Sequence, residues 1–425
     1  MGHSSSQIVV GGGIVGCWTA WHLAKRGCQV TVLERDQIGS GASSGNCGFI
    51  CPGHVHPLCA PGAISSGMRT MARWGGALSI PPRWDPTLWR WLVQFSRHCN
   101  QQDFVHASRA RHALLHSSRT QYRQFASQHG SAFQWQFQGL LLVYQSKQDF
   151  ESYERHASEL AQDFDVEVDR YDGDEVSQLE PSLRDGLAGG WHFPNDAHLS
   201  PQGLLDELCR QIEQMGGQIR PQTEITKLEF NASTLTAVQS ATGERFSADG
   251  FVFTTGAEAG YFADQLGCRL PVIPGKGYSV TIDHAPVVPK IPMIFESDHV
   301  AVTPLGSSLR IGSTMQLTGF SRSIPAKRIE LLKRSAREHL KPSQSGSPPQ
   351  QDCQEKRWSG WRPMMPDDIP CIGPAPRAGN AMIAAGNGMI GMASGPATGQ
   401  LTCELALGLT PHLDPTPYRV DRFDR

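Results

Sequence analysis

A strand, a glycine elbow and a helix open the chain, and an acid follows at the distance that completes the unit. The strand reads Gln7-Ile8-Val9-Val10 and the elbow Gly11-Gly12-Gly13-Ile14-Val15-Gly16, a G-x-G-x-x-G. A helical stretch from Ile14 to Arg26 stops at Gly27, and a second strand, Gln29-Val30-Thr31-Val32-Leu33, ends in Glu34. Each piece has a task in gripping a dinucleotide. Gly11 allows the tight turn. Gly13 lets backbone N–H groups approach a pyrophosphate at the positive end of the helix, where Ile14 and Val15 begin it. Gly16 lets helix and strand pack closely. Glu34 is placed to accept hydrogen bonds from ribose hydroxyls, and its charge repels a 2′-phosphate; Arg35 sits beside it. The unit commits the start of the chain to a parallel, helix-covered sheet.

At 425 residues the chain exceeds one ordinary core, so two domains are expected. A net charge of −2 with no basic block gives nucleic acid nothing to bind. Eleven Cys, odd in number and without a C-x-x-C, read as free thiols in a reducing compartment, so a cytoplasmic protein is expected. The segment from Met1 to Ser6 lacks the apolar core of a signal peptide, although it matches the myristoylation pattern M-G-x-x-x-S. No run of about 18 apolar residues is present to span a membrane.

Beyond Glu34, the stretch Gly39-Ser40-Gly41-Ala42-Ser43-Ser44-Gly45-Asn46-Cys47-Gly48 is too small-residue-rich for a helix or strand core and reads as a loop lying close to something flat or charged. Helices are expected near 87–97, 104–129, 147–163, 201–215 and 325–340. Strands are expected near 139–144, 223–230, 235–240, 250–253, 277–282, 299–304, 308–313 and 381–385. Pro342 to Lys356 reads as an exposed loop, and a last helix starts near Ser394 after the turn Gly386-Asn387-Gly388.

Four separated segments together resemble the D-amino acid oxidase/dehydrogenase family of FAD flavoproteins, nearest its bacterial D-amino acid dehydrogenase branch. They are the N-terminal fingerprint with Glu34; Ser43-Ser44-Gly45-Asn46-Cys47-Gly48; Pro274-Gly275-Lys276-Gly277-Tyr278-Ser279; and Gly360-Trp361-Arg362-Pro363 through Pro370-Cys371-Ile372-Gly373-Pro374 to Gly386-Asn387-Gly388. The resemblance implies an α/β fold with a discontinuous Rossmann-like FAD-binding domain (7–66, 186–262 and 357–425). An α+β substrate domain (67–185 and 263–341), built on an antiparallel sheet with helices, covers the flavin, and 342–356 is the exposed loop. It implies FAD, held non-covalently, because Arg357-Trp358-Ser359-Gly360 stands where some sarcosine-oxidising members attach flavin through a Cys. The chain departs from the family at Asn387, where a His is common.

The same resemblance assigns roles. Arg362 of G-x-R-P pairs with the substrate carboxylate, a task suited to a planar guanidinium fork; the other reading is an Arg stacked between Trp358 and Trp361. Tyr278 has two readings, a donor to that carboxylate or a tyrosine packed in the sheet. Lys276 is either near the flavin ring or a solvated turn lysine. Gly45, Asn46 and Gly48, following Ser43 and Ser44, are expected beneath the ring; Asn46 has two readings, a hydrogen bond to flavin or substrate amine, or an Asn chosen for its turn conformation. Ile225 and the elbow at Gly256 are expected at the nucleotide. Gly386, Asn387, Gly388, Met389, Ile390 and Gly391 precede a helix whose N-terminus stabilises reduced flavin. His54 or His56 is the candidate base for the substrate ammonium. His112 and His116, four apart on a helix beside Arg109 and Arg111, read as a solvated face, and no metal is expected.

The function implied is oxidation of a D-amino acid or cyclic imino acid, D-alanine-like or D-proline or 4-hydroxy-D-proline, by hydride transfer from Cα to flavin N5. Electrons would pass to a quinone, an electron carrier or O2, as part of amino-acid catabolism. The rivals are a glycine/sarcosine-type oxidase and a non-catalytic FAD-binding subunit of a larger complex; an NAD enzyme would leave the middle and C-terminal segments without a role. The Trp- and Arg-rich stretch from Met68 to Arg97 has two readings, peripheral contact with the inner face of a membrane or a substrate-domain lid or core.

Overall fold

A computed structural model describes residues 5–65, 67, 78–342 and 354–424. The expected exposed loop lies outside the described residues from 343 to 353, as do 68–77 of the Trp-rich stretch.

The fingerprint forms as its pattern requires. The strand Ser6–Val10 pairs in parallel with Gln29–Leu33 on one side and Gly250–Phe253 on the other. These three belong to a six-stranded sheet in the order Cys371–Ala375, Ala378–Ala385, Gly250–Phe253, Ser6–Val10, Gln29–Leu33, Gln218–Arg220, with only the first pair antiparallel. The central strands are β-branched and apolar because both faces are covered. One face packs the first helix, Ile14–Lys25, with Cys403 of the last helix, Gly391–Ala406; the other packs Phe251 and Phe253 against the helix Gly260–Leu266 and the three-stranded meander of 225–247.

A second, nine-stranded sheet is mixed. Its main order is Glu355–Met364, Ile273–Ile282, Ser308–Gln316, Val300–Leu305, Met293–Phe295, Leu140–Tyr144, Gly189–Phe193, Asp169–Asp172; Leu78–Ser79 flanks Ser308–Gln316. The pairs are antiparallel except Met293–Phe295 with Leu140–Tyr144, and the short Leu78–Ser79 pairing. Gly189–Phe193 and Glu355–Met364 stand in this sheet rather than with the nucleotide-binding half. One face buries Tyr278, Val280, Val302 and Ile311 against Ile329, Leu332 and Ala336 of the helix Ala326–His339. The other face turns toward the six-stranded half.

Small residues make that second face approachable. A Cβ at Gly312 would meet Cys47 Sγ at 2.7 Å, and one at Gly360 would meet the Gly41 carbonyl at 2.4 Å. The glycine-rich loop therefore lies in a shallow groove of the large sheet, between the two halves.

Candidate active site

Where the halves meet, a cavity of about 730 Å³ is lined by both. The elbow forms its floor. Gly11 takes φ +108, and its N–H donates to the Leu33 carbonyl at 2.8 Å. A Cβ at Gly16 would come within 1.9 Å of the Gly11 carbonyl, so the close helix–strand approach needs glycine there. Glu34 accepts from the N–H groups of Gly12 (2.7 Å) and Asp36 (2.9 Å), which aims its carboxylate at the turn. Arg35 beside it pairs with Glu258 at 2.7 Å. Ser43 Oγ accepts from the N–H of Ile14 at 3.0 Å, tying the glycine-rich loop to the start of the first helix.

Gly11, Gly13, Ile14, Val15, Glu34, Arg35, Ser43, Asn46, Ile225, Gly256, Arg362, Gly386, Asn387, Gly388, Met389 and Gly391 all line this one cavity. The remaining expected residues do not. Gly16 works behind the wall, as its packing requires. Ile390 is buried in the core beside Cys51 and Val55. Gly45 faces the Trp358 indole, which a Cβ would meet at 2.0 Å, and Gly48 (φ +73) faces the Leu199 carbonyl. Close protein contacts require glycine at both positions. Ser44 turns its carbonyl to Arg310.

Two candidate catalytic residues are displaced. Tyr278 pairs with Ser359 and is buried on the helix-covered face, whereas Gly277, its neighbour, lies under the Arg362 guanidinium. Strand alternation puts the two on opposite sides. The Tyr278 hydroxyl meets the Gln316 amide, whose oxygen, with the amide turned to satisfy both neighbours, accepts from Arg328. Lys276 shares that buried face and donates to the Ser323 carbonyl. His54 is exposed and outside the cavity; its carbonyl accepts from buried Arg111 at 3.0 Å. Among the described residues no histidine lines the cavity and no cluster could hold a metal ion; His112 and His116 stand on the helix Gln101–His129, outside the cavity.

Arg362 sits on the strand Glu355–Met364, opposite Gly275. A side chain at Gly277 would strike its guanidinium at 2.5 Å, so glycine clears its path. Its Nη1 donates to the Thr314 carbonyl at 2.9 Å. That carbonyl is presented by an irregular stretch of the Ser308–Gln316 strand, where Ser313 (φ +88) and Thr314 (φ +52) both adopt left-handed backbone. Such strain in a β-branched residue marks a place the surrounding structure holds by force. Burial pulls the Arg362 pKa down, yet a guanidinium stays charged. No Asp or Glu among the described residues pairs with it.

Sequence reasoning missed Thr254 and Thr255. Thr254 Oγ1 donates to the Val10 and Gly11 carbonyls, and Thr255 Oγ1 is buried at the cavity wall without a partner. The Thr-Thr-Gly-Ala elbow that closes an apolar strand carried the signal. Ser40, Gly41 and Ala42 also line the cavity. Asn387 fills the family's usual His position by donating to Ser394 Oγ (3.1 Å) and Thr398 Oγ1 (3.0 Å), which locks the Gly386–Gly388 turn onto the last helix.

These features fit a flavin adenine dinucleotide. The first and last helices both begin at the cavity without an acid in their first turns, leaving two positive ends uncompensated for phosphate and for an anionic ring. Glu34 suits ribose, and Thr255 offers an orphan hydroxyl. Comparison with known proteins agrees over the whole chain. A D-amino acid dehydrogenase of Methylobacterium radiotolerans is 31% identical over 428 residues, covering 98% of this chain and 99% of that one. A D-amino acid dehydrogenase of Agrobacterium fabrum is 30% identical over 424 residues, with coverage of 98% and 99%. The structure of glycine oxidase from Geobacillus kaustophilus superposes with a TM-score of 0.73 at 21% identity, covering 99% of each chain, and so shares the fold. The profile of the family described as FAD dependent oxidoreductase, DAO, matches residues 7–405, and the chain belongs to that family.

Proposed function

We propose that this FAD-dependent oxidoreductase oxidises a D-amino acid or cyclic imino acid, D-alanine-like or D-proline or 4-hydroxy-D-proline, at its Cα–N bond. The observation that carries the reading is Arg362, a charged fork at the cavity wall with no acidic partner among the described residues. A free carboxylate completes it bidentately. FAD, when bound, supplies the hydride acceptor. Gly277 leaves room for the fork, Thr314 fixes one of its nitrogens, and the clamp holds the substrate in one orientation. Loss of hydride from Cα and a proton from nitrogen gives an imine, which water hydrolyses to a 2-oxo acid and ammonia when the substrate is acyclic. The relatives' name, D-amino acid dehydrogenase, supports the substrate class. FAD is proposed to be held without a covalent link.

The test is anaerobic bleaching of the flavin by a panel of D- and L-amino acids, glycine, sarcosine and D-proline derivatives, with wild type and Arg362→Ala. Bleaching by D-amino or imino acids, slowed in the variant, is the expected result. Unchanged rates at low substrate would remove Arg362 from the mechanism. Preference for glycine or sarcosine with stoichiometric peroxide would select the oxidase reading, and a flavin that stays yellow with every compound would select the non-catalytic subunit.

The acceptor proposed is a quinone or carrier, reached by peripheral contact with the cytoplasmic face of a membrane. Trp84 (91% exposed) and Trp89 (55%) project beside Arg90 on and before the helix Pro86–His98, a pattern that suits an interface. No described helix is long and apolar enough to cross a bilayer.

A further inference from the structure

Arg310 is a half-buried cation that the reaction outlined above does not use. It stands on the Ser308–Gln316 strand, paired with Thr281, on the face turned to the glycine-rich loop. Its Nη1 donates to two backbone carbonyls of that loop, Ser44 at 3.0 Å and Asn46 at 2.7 Å, and its Nε donates to Thr281 Oγ1 at 3.0 Å. Two hydroxyls of the same sheet complete the pattern. Ser279 Oγ donates to the Gly45 carbonyl at 2.9 Å, and Thr303 Oγ1 to the Cys47 carbonyl at 2.7 Å. Four consecutive carbonyls, 44 to 47, are thus each held by a side chain of the large sheet.

This is more than a loop needs to stay folded. Hydrogen bonds to carbonyls are satisfied as well by water or by neutral donors, whereas burying a guanidinium costs desolvation. Burial pulls the Arg310 pKa down, and no described carboxylate forms an ion pair with it. Its direct contacts are two carbonyls and the Thr281 hydroxyl, while the Cys47 thiol and the Asp283 carboxylate, neither paired with it, offset part of the cost of burial. The loop it grips has two attachments: Ser43 caps the first helix, and Asn46 lines the cavity. A shift of the 44–46 carbonyls would therefore move both the Asn46 side chain and the start of the pyrophosphate cradle. Cys47, the next residue, feels both Arg310 and Arg362, so the two cations flank the same short segment.

We propose that Arg310 is a positioning residue that fixes Asn46 against the flavin through the Ser44 and Asn46 carbonyls and thereby tunes the flavin's reduction equilibrium. The inference rests on the reading that Asn46 meets the ring side of the cofactor; it does not depend on which amino acid is oxidised. Lys carries the charge but has no planar fork to span two carbonyls and a hydroxyl at once. Met keeps the length and loses both.

The test is the midpoint potential of bound FAD, measured by dye-coupled chemical reduction without any amino acid, in Arg310→Met, Arg310→Lys, Ser279→Ala and Thr303→Val. Arg310→Met is expected to shift the oxidised-to-reduced equilibrium at least tenfold toward oxidised flavin, about 30 mV for this two-electron couple. Arg310→Lys should shift it at least threefold in the same direction, with an altered visible flavin band. Ser279→Ala and Thr303→Val, which each free one carbonyl from a neutral donor, should stay within twofold. Folded, FAD-loaded Arg310 variants whose potentials and spectra match wild type within twofold would overturn the proposal, as would equal shifts from the two hydroxyl variants. If Arg310→Met does not fold, Arg310→Lys decides by the same thresholds. The amino-acid bleaching panel on wild type reports separately on the proposed substrate, so the two readings fail by different measurements.

Discussion

Arg362 and its surroundings set what single substitutions do. Its value lies in the fork over Gly277 and the Thr314 carbonyl, so Arg362→Lys keeps the charge yet loses bidentate contact. We expect kcat/KM for the best substrate to fall about 100-fold or more, since a displaced substrate costs that much, while FAD content stays near wild type; stopped-flow reduction and flavin absorbance check both. The same cavity fixes the pH dependence. Among the described residues its only acids are Glu34, Glu224 and Glu258, all at the nucleotide end, and it holds no histidine. If the substrate ammonium loses its proton to solvent, log kcat/KM should rise with unit slope up to the substrate's own ammonium pKa; a plateau well below that value would reveal a protein base. Away from the site, Asp196 is 1% exposed and burial raises its pKa to about 8. The folded state therefore favours the neutral acid, and the charge costs stability progressively as pH rises from the ordinary carboxylate range to about 8. Asp196→Asn should match wild type near pH 4 and unfold at a higher temperature at pH 9, by a few degrees, in calorimetry at both values.

At the scale of elements, the first strand–helix–strand unit was legible because three independent signals agree: the glycine spacing, the helix stop at Gly27 and the acid after the second strand. Gly16→Ala puts a methyl 1.9 Å from the Gly11 carbonyl, so the variant should retain little FAD and unfold several degrees lower, by flavin fluorescence and circular dichroism. The loop 39–48 was legible as a loop but not in what it touches. Glycine reports only that something is close, and at Gly45 and Gly48 that neighbour is the Trp358 indole and the Leu199 carbonyl. The strand Glu355–Met364, which carries Arg362, was not legible as a strand. Its residues alternate between a face occupied by Trp358, Gly360 and Arg362 and one occupied by Ser359 and Trp361, and neither is a simple apolar stripe. Tyr278 and His54 failed for a related reason. The Ile273–Ile282 strand is buried on both faces through Val280, so apolarity does not say which side holds the site; only its register with Arg362 does. His54 follows a Pro-Gly turn whose direction depends on the remote Arg111–Asp368 ion pair, 2.7 Å long and fully inside.

Taken whole, the molecule is two sheets that share a cavity, and neither closes it alone. The pyrophosphate cradle, Glu34 and Ile225 belong to the half built around the six-stranded sheet, while Trp361, Arg362 and Pro363 belong to the large one. A cofactor long enough to touch both is a tie between them, so its affinity becomes stability of the assembled molecule. At 100-fold excess over Kd the gain is about 2.7 kcal/mol, which for a chain of this size raises Tm by about 3 °C at the usual entropy per residue. Stripping FAD should lower Tm and make it depend on added FAD. ADP, which lacks the flavin end, is expected to reach the six-stranded half alone. Hydrogen exchange separates the cases: ADP should slow exchange around Ser6–Val10 and the start of the first helix, whereas FAD should slow those amides and also Ile273–Ile282 and Glu355–Met364. FAD that left Glu355–Met364 unprotected would mean the strand of Arg362 does not rest on the cofactor, and the shared cavity would not be where the two halves are joined.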